Sequence, residues 1–104
     1  AGGHLCVCVA HSVTDLGTWV GDDESTFAVR RRYFERARVH DTVERDGLRM
    51  TFRGWTYTLT DYALALESAG FCIETLREPR PASSNRYLKW NDLPQFMNIR
   101  ASKR

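Results

Sequence analysis

Residues 37–53 read Ala-Arg-Val-His-Asp-Thr-Val-Glu-Arg-Asp-Gly-Leu-Arg-Met-Thr-Phe-Arg and carry the clearest secondary-structure pattern in the chain. Apolar and polar side chains largely alternate on both sides of the central Asp46-Gly47 pair, as in half-exposed strands. Asp-Gly between two such segments is typical of a type I′ turn, because both turn residues need a positive φ. The segment therefore predicts an antiparallel hairpin. The apolar positions change parity across Gly54, which predicts a bulge there.

A helix is predicted shortly after the hairpin. Thr60 has the residue type of an N-cap, with Leu59 and Leu64 placed to form a hydrophobic staple around it. The apolar spacing predicts a helix from Asp61 to Ala69. Gly70 follows as the residue that takes the left-handed conformation and ends the helix.

The rest of the chain divides into strands and loops, with one short helix. Apolar runs bounded by Gly, Pro and polar residues predict the strands, and clusters of polar residues predict the loops. These elements are a buried strand from Leu5 to Ala10, a loop from His11 to Glu24, a short helix from Ser25 to Ala37, a buried strand from Phe71 to Leu76, a loop from Ala82 to Leu93 and a last strand from Gln95 to Ser102.

The composition is that of one ordinary globular domain. The chain has 104 residues, of which 42% are hydrophobic and 27% charged, and no apolar run approaches the roughly 18 residues of a membrane span. The net charge of +2 is too small to predict a nucleic-acid-binding surface. The N-terminal residues lack the pattern of a secretory signal, so we expect a cytoplasmic protein. Cys6 and Cys8 are expected to be reduced core residues, and no metal site is expected, since no fourth ligand joins them and His11.

Several short segments, in this order, carry a resemblance to a known family. They are Gly-Gly-His-Leu-Cys-Val-Cys-Val-Ala-His at 2–11, Tyr-Phe at 33–34, Thr-Leu-Thr-Asp-Tyr at 58–62, Ala-Gly-Phe at 69–71, Leu-Arg-Glu-Pro-Arg-Pro at 76–81 and Leu-Pro-Gln-Phe at 93–96. The sequence resembles the C-terminal half of a class I S-adenosylmethionine-dependent methyltransferase of the small-molecule type, over nearly its whole length.

The resemblance implies a fold and a domain organisation. The fold class is α/β but incomplete, an α+β-like fragment of a Rossmann-like methyltransferase. It has a small mixed sheet, one main helix and a protruding antiparallel hairpin. The last strand is expected between the first strand and the Phe71 to Leu76 strand, antiparallel to both. Residues 1–104 then form a single C-terminal subdomain, with a substrate-covering insertion at about 36–59.

The cofactor-binding part of that family is missing from this sequence. The family holds S-adenosylmethionine with an acidic-x-Gly-x-Gly-x-Gly loop and with an acidic residue at the end of its second strand. The seven glycines of this chain include no Gly-x-Gly pair, the spacing that lets the backbone approach a cofactor closely. We therefore expect S-adenosylmethionine to be the cofactor of a longer parent protein, and we expect this chain alone to bind none.

His11 is the leading candidate for a catalytic residue, as a general base. It directly follows a predicted strand of an α/β sheet, where ligands bind, and histidine exchanges protons near neutral pH; a solvated loop histidine is the alternative. Asp15 could orient His11 or contact substrate, although a turn-forming role explains it as well. Glu78, at the end of the Phe71 to Leu76 strand, is a weaker candidate at the same edge.

Aromatic and basic residues supply the remaining candidates. Trp19, Trp55 and Tyr57 could line a pocket for a small-molecule substrate, and ordinary core packing explains them about as well. The run Arg30-Arg31-Arg32 could bind phosphates, but a solvated basic face is favoured because the domain has little basic excess.

Two classes of function stay open at this point. In the first, the chain is part of a methyltransferase acting on a small molecule and is inactive by itself. In the second, it is a non-enzymatic α+β module that binds a ligand or a protein. No charged side chain interrupts the strand from Leu5 to Ala10, so its free edge predicts a homodimer. Exchange of the hairpin from Arg36 to Arg53 is the other predicted route.

Overall fold

The computed structural model describes residues 2–22, 24–80 and 93–104. Most of these residues lie in short strands, and the described part of the chain contains one α-helix. In chain order the elements are β1 (His4–Ala10), a 3-10 helix (Ser12–Asp15), β2 (Gly17–Val20), β3 (Thr26–Val29), β4 (Arg38–Arg45), β5 (Leu48–Trp55), α1 (Leu59–Ser68), β6 (Phe71–Arg77) and β7 (Phe96–Lys103). The predicted loop from Ala82 to Leu93 lies almost wholly outside the described residues.

A three-stranded sheet in the order β1-β7-β6 forms the centre of the protein. The last strand, β7, pairs antiparallel with both neighbours, so β1 and β6 run in the same direction. This is the predicted strand arrangement. The buried apolar core comes from alternate residues of β7, namely Met97, Ile99 and Ala101, which are at most 3% exposed. The alternation follows from the pleat, which sends successive side chains to opposite faces.

Helix α1 packs against β6, and its N-terminus differs from the prediction. The N-cap is Thr58, because its side chain accepts a hydrogen bond from the Asp61 N–H while the Asp61 carboxylate accepts one from the Thr58 N–H. The predicted N-cap, Thr60, is instead within the first turn. With Thr58 as the cap, the staple positions fall on Tyr57 and Tyr62, whose rings make an edge-to-face contact 5.9 Å apart. Gly70 ends the helix with a φ of +86°, as predicted.

The predicted hairpin is present as β4 and β5, but it has no bulge at Gly54. Asp46 and Gly47 both have positive φ, which fits the type I′ turn. The register runs without a shift from Arg45 opposite Leu48 to Arg38 opposite Trp55. Without a bulge, the apolar side chains before and after Gly54 project from opposite faces of the hairpin. This is tolerated because nearly every hairpin residue is exposed, so neither face has to be apolar throughout. A shift of register is present instead in the β6–β7 pair, between Ile73 and Thr75 of β6.

Residues 11–37 differ most from the prediction. The segment from His11 to Glu24 contains a 3-10 helix and strand β2, and the predicted helix from Ser25 to Ala37 is replaced by strand β3 and turns. Strands β2 and β3 form a separate antiparallel pair in which Trp19 is opposite Phe27. Their rings contact edge to face, with centroids 5.2 Å apart. Such cross-strand aromatic pairs stabilise a ribbon, and this contact outweighs the weak helical spacing.

The prediction that β1 is buried on both sides is wrong. Cys6, Cys8 and the third cysteine, Cys72, are all free thiols on exposed residues. They lie on the sheet face that also carries Glu74 and Arg100, which form an ion pair at 3.2 Å. Helix α1 lies over the opposite face, where its residues and those of β6 and β7 line one shared groove. No helix in the described residues covers the cysteine face, so these thiols are not core residues.

Two further observations concern the surface of the protein. Strand β1 pairs with β7 along one edge, and none of the described strands pairs with its other edge. The predicted unpaired edge is therefore present in the described residues, whereas the predicted association stays a prediction.

No helix in the described ranges is long and apolar enough to cross a membrane.

Candidate functional site

The fold brings two of the predicted site residues into direct contact. Because β1 and β6 run in the same direction, their carboxyl ends lie at the same edge of the sheet. His11 directly follows β1 and Glu78 directly follows β6. Their side chains meet there, with His11 Nε2 2.6 Å from Glu78 Oε2. The pairing of residues 67 positions apart in sequence is a consequence of the strand order.

Backbone contacts fix the orientation of His11. Its Nδ1 accepts a hydrogen bond from the Val13 N–H at 3.1 Å, which makes His11 the N-cap of the 3-10 helix. Its backbone N–H donates to the Gln95 carbonyl at 3.0 Å. Since Nδ1 is an acceptor here, the ring proton of the neutral histidine lies on Nε2 and is donated to Glu78. Both ring nitrogens are thus engaged, and the Val13 N–H and the Glu78 carboxylate together orient the ring.

The two members of the pair differ in their access to solvent. The His11 side chain is 9% exposed, whereas the Glu78 side chain is 48% exposed. A molecule approaching this edge therefore meets the carboxylate first. In this arrangement the Glu78 carboxylate can accept a proton from a bound molecule while the His11 Nε2–H holds it in place, which is the chemistry of a positioned general base.

Asp15 lies at the end of the 3-10 helix and is not the residue that orients His11. Burial raises the pKa of its carboxyl group, the Arg31 charge opposes that rise, and Asp41 adds to it. Arg31 also donates a hydrogen bond to the Asp15 backbone carbonyl at 2.9 Å. Arg31 thus anchors the segment after β3 to the end of the 3-10 helix, and this part of the basic run has a structural role.

The three aromatic candidates lie on different elements with different ring neighbours. Trp19 contacts Phe27 in the β2–β3 ribbon. Trp55 ends β5, where the Arg38 guanidinium lies 5.2 Å from its ring centre. Tyr57 precedes α1 and contacts Tyr62. A role for all three in one substrate pocket stays a prediction.

Sequence reasoning missed a cavity at the base of the hairpin. The cavity has a volume of about 410 Å³ and lies where the hairpin meets the N-terminus of α1. The Tyr33 hydroxyl accepts a hydrogen bond from the Leu59 N–H at 2.8 Å, and Arg36 lies 3.8 Å from Asp61. The capping-box spacing from Thr58 to Asp61 was the sequence signal for the helix N-terminus that forms one side of it. The lining residues are Tyr33, Phe34, Arg36, Thr56, Thr58, Thr60 and Asp61.

The charges around this cavity also affect Tyr62. Burial raises the pKa of its phenol, and the neighbouring Tyr57, Asp15 and Asp61 raise it further. Asp15, at the end of the 3-10 helix, is therefore close enough to α1 to act on Tyr62 electrostatically.

The central sheet and its helix define a methyltransferase-like fold. A similar structure is the crystal structure of a Listeria monocytogenes protein provisionally assigned as an S-adenosylmethionine-dependent methyltransferase. It superposes with a TM-score of 0.76 at 23% sequence identity, over 100% of this chain and 48% of that one. This chain therefore spans about half the length of that structure. No family model matches the sequence, and no curated protein matches it.

Proposed function

We propose that this chain is the C-terminal half of a class I S-adenosylmethionine-dependent methyltransferase, and that its parent protein methylates a small molecule. The observation that carries the proposal is the strand order, in which β7 lies antiparallel between two strands of like direction. The fold likeness extends over the whole chain and about half of the Listeria protein, which supports a missing half. Residues 1–104 are then one Rossmann-like subdomain with the hairpin inserted.

The described residues do not fit S-adenosylmethionine as a ligand. Tight cofactor loops place glycines in the turn between a strand and a helix, at its N-terminus. The turn after β1 is Ala10-His11-Ser12 and contains no glycine. Gly47 and Gly70, two of the glycines with positive φ, lie in the hairpin turn and at the end of α1. We therefore propose that the cofactor belongs to the parent protein and that this chain alone is inactive.

The His11–Glu78 pair is the proposed proton-handling group of the parent enzyme. A hydroxyl or amine acceptor loses a proton as it is methylated, and a residue at this sheet edge can receive it. Because Nδ1 of His11 already accepts the Val13 bond, the half-exposed Glu78 carboxylate is the part of the pair that contacts the acceptor. His11 positions that carboxylate through its Nε2–H, and the proton of the acceptor passes to the carboxylate. Asp15, Trp19, Trp55 and Tyr57 remain the proposed substrate contacts of the parent enzyme.

The test uses the protein encoded by the complete reading frame that contains this chain. Transfer of a radiolabelled methyl group to small hydroxyl and amine acceptors should be detectable. Glu78→Gln and His11→Ala should each lower kcat by roughly a hundredfold or more, and the acidic limb of the pH profile should change. Glu74→Gln is the matched control, because Glu74 lies on β6, the strand that Glu78 follows, but pairs with His4 and Arg100.

Two results would decide against this function. Full activity in both Glu78→Gln and His11→Ala would remove the pair from the mechanism. Absence of methyl transfer and of cofactor binding in the complete protein would favour the alternative, a non-enzymatic α+β module that binds a ligand or a protein through its hairpin. The exposure of nearly every residue of that hairpin is the observation that favours the alternative.

A further inference from the structure

The hairpin has one apolar face and one polar face. Directly opposed residues of an antiparallel pair project from the same side, so the register assigns each residue to a face. One face contains Val39, Asp41, Val43, Arg45, Leu48, Met50, Phe52 and Gly54, and the other contains Arg38, His40, Thr42, Glu44, Arg49, Thr51, Arg53 and Trp55. We call the first set the apolar face.

The apolar face is uncovered in the described part of the structure. Leu48 is 67% exposed, Phe52 54%, Met50 49% and Val43 39%. The radius of gyration is 15.9 Å, whereas a compact chain of this length has about 13 Å, as expected if the hairpin projects from the body. An isolated two-stranded hairpin is marginally stable in water, so covering this face would stabilise it.

The pattern of the apolar face is complementary to itself. Asp41 and Arg45 lie on either side of Val43 on this face, each about 7 Å from it along the strand. Consider two hairpins stacked with their apolar faces together, related by a twofold axis that runs between them, parallel to the sheets, perpendicular to the strands and level with the Val43–Met50 pair. The axis reverses the strand direction, so Asp41 of each copy lies opposite Arg45 of the other and two ion pairs form.

The same axis also matches the apolar residues. Phe52 faces the second copy's Leu48, and Met50 faces its own counterpart. The turn of one copy then meets the Gly54 position of the other, where a Cβ would have no atom within 4 Å. Gly54 therefore leaves room for the approaching turn.

We propose that the apolar face is the interface of a homodimer, formed by two hairpins packed face to face with reciprocal Asp41–Arg45 ion pairs. This inference does not depend on the proposed enzymatic function. An eight-residue strand is about 27 Å long and a two-stranded face is roughly 10 Å wide, so each copy contributes on the order of 300 Å². That is below the roughly 800 Å² per partner of a standard interface, and the dimer should therefore be weak and concentration-dependent.

The first test measures sedimentation of the chain from low micromolar to millimolar concentration. Met50→Lys should weaken association at least tenfold, because it buries a charge in the interface. Thr51→Lys is the matched control: it adds the same charge to the next residue of the same strand, on the polar face, and should leave association unchanged. Both positions are exposed in the single chain, so the circular dichroism of both variants should match that of the native protein.

The second test is specific for the proposed axis. Asp41→Arg alone places arginine opposite arginine, and Arg45→Asp alone places aspartate opposite aspartate, so each variant should be monomeric. An equimolar mixture should form a heterodimer, because both cross-copy pairs are then of opposite charge. Within one chain the two positions are about 13 Å apart, beyond the screening length in physiological salt, so intrachain attraction cannot produce this result.

Four results would overturn the proposal. The first is a native chain that stays monomeric at millimolar concentration, and the second is a mixture of Asp41→Arg and Arg45→Asp that stays monomeric. The third is a loss of association in Thr51→Lys equal to that in Met50→Lys. The fourth is association that survives Met50→Lys but is abolished by Val7→Lys. The last result would assign the contact to the free edge of β1.

Discussion

Replacing Thr58 with alanine should destabilise the protein, and replacing Thr60 should not. The Thr58 hydroxyl accepts the hydrogen bond of the Asp61 N–H at 3.1 Å, and the reciprocal bond from the Thr58 N–H to the Asp61 carboxylate is 2.9 Å long. Thr58→Ala removes the first bond and leaves an N–H at the helix start without its partner. Losses of this kind cost about 1 kcal/mol, with a range of 0.5–2 kcal/mol.

Urea denaturation followed by circular dichroism measures this cost. In a domain of this size about 1 kcal/mol corresponds to a fall in Tm of roughly 4–8 °C. Thr58→Ser keeps the hydroxyl and should stay within about 0.5 kcal/mol of the native protein. Thr60 is exposed in the first turn, so Thr60→Ala should also stay within about 0.5 kcal/mol. A larger loss in Thr60→Ala than in Thr58→Ala would refute the capping geometry.

Three further outcomes follow from the core, the helix end and the buried carboxyl group. Met97→Ala should cost about 2–5 kcal/mol in urea denaturation because Met97 is fully buried, whereas Phe96→Ala, at a 44% exposed neighbour, should cost clearly less. Gly70→Ala should cost about 1–2 kcal/mol because its φ is +86°, and Gly54→Ala, with open space and no positive φ, should cost nothing or stabilise the hairpin. Burial raises the pKa of the Asp15 carboxyl group above its ordinary 3.8, so this group binds a proton more tightly in the folded state than in the unfolded state. The folded state therefore loses stability as the pH rises from 3.8 through the raised pKa. Asp15→Asn should therefore stabilise the protein at pH 7, and the gain should vanish below pH 3.8; a gain that is independent of pH would contradict this origin.

The sequence predicted the elements whose signals are local. Asp46-Gly47 specifies its own turn, and Gly70 marks the helix end, because both need only the backbone preferences of neighbouring residues. The hydrophobic staple of Leu59 and Leu64 favours Thr60 as the cap, although Thr58 has the better spacing. Asp61 lies three residues after Thr58, whereas Ala63 lies three residues after Thr60. The capping-box pattern that accepts aspartate at the third position separates the two threonines.

The errors concern properties that depend on distant parts of the chain. Cys6 and Cys8 were expected in the core because their strand is apolar, but burial depends on which faces the helices cover. Strands β2 and β3 are four residues each, too short for a period to be recognised, and they form because they pair with each other. The His11–Glu78 contact was partly predictable because both residues follow strands of like direction. The direction of their hydrogen bonds required the structure, since the Val13 N–H fixes the tautomer.

The most direct test of the central claim is a calorimetric titration with S-adenosylmethionine, carried out on this chain and on the product of its complete reading frame. We expect no specific heat with the 104-residue chain and micromolar binding, about 8 kcal/mol, to the complete protein. Micromolar binding to the 104-residue chain would contradict this expectation, because a formed cofactor pocket would then exist without the proposed N-terminal half. Absence of binding to the complete protein would contradict the assignment to the methyltransferases.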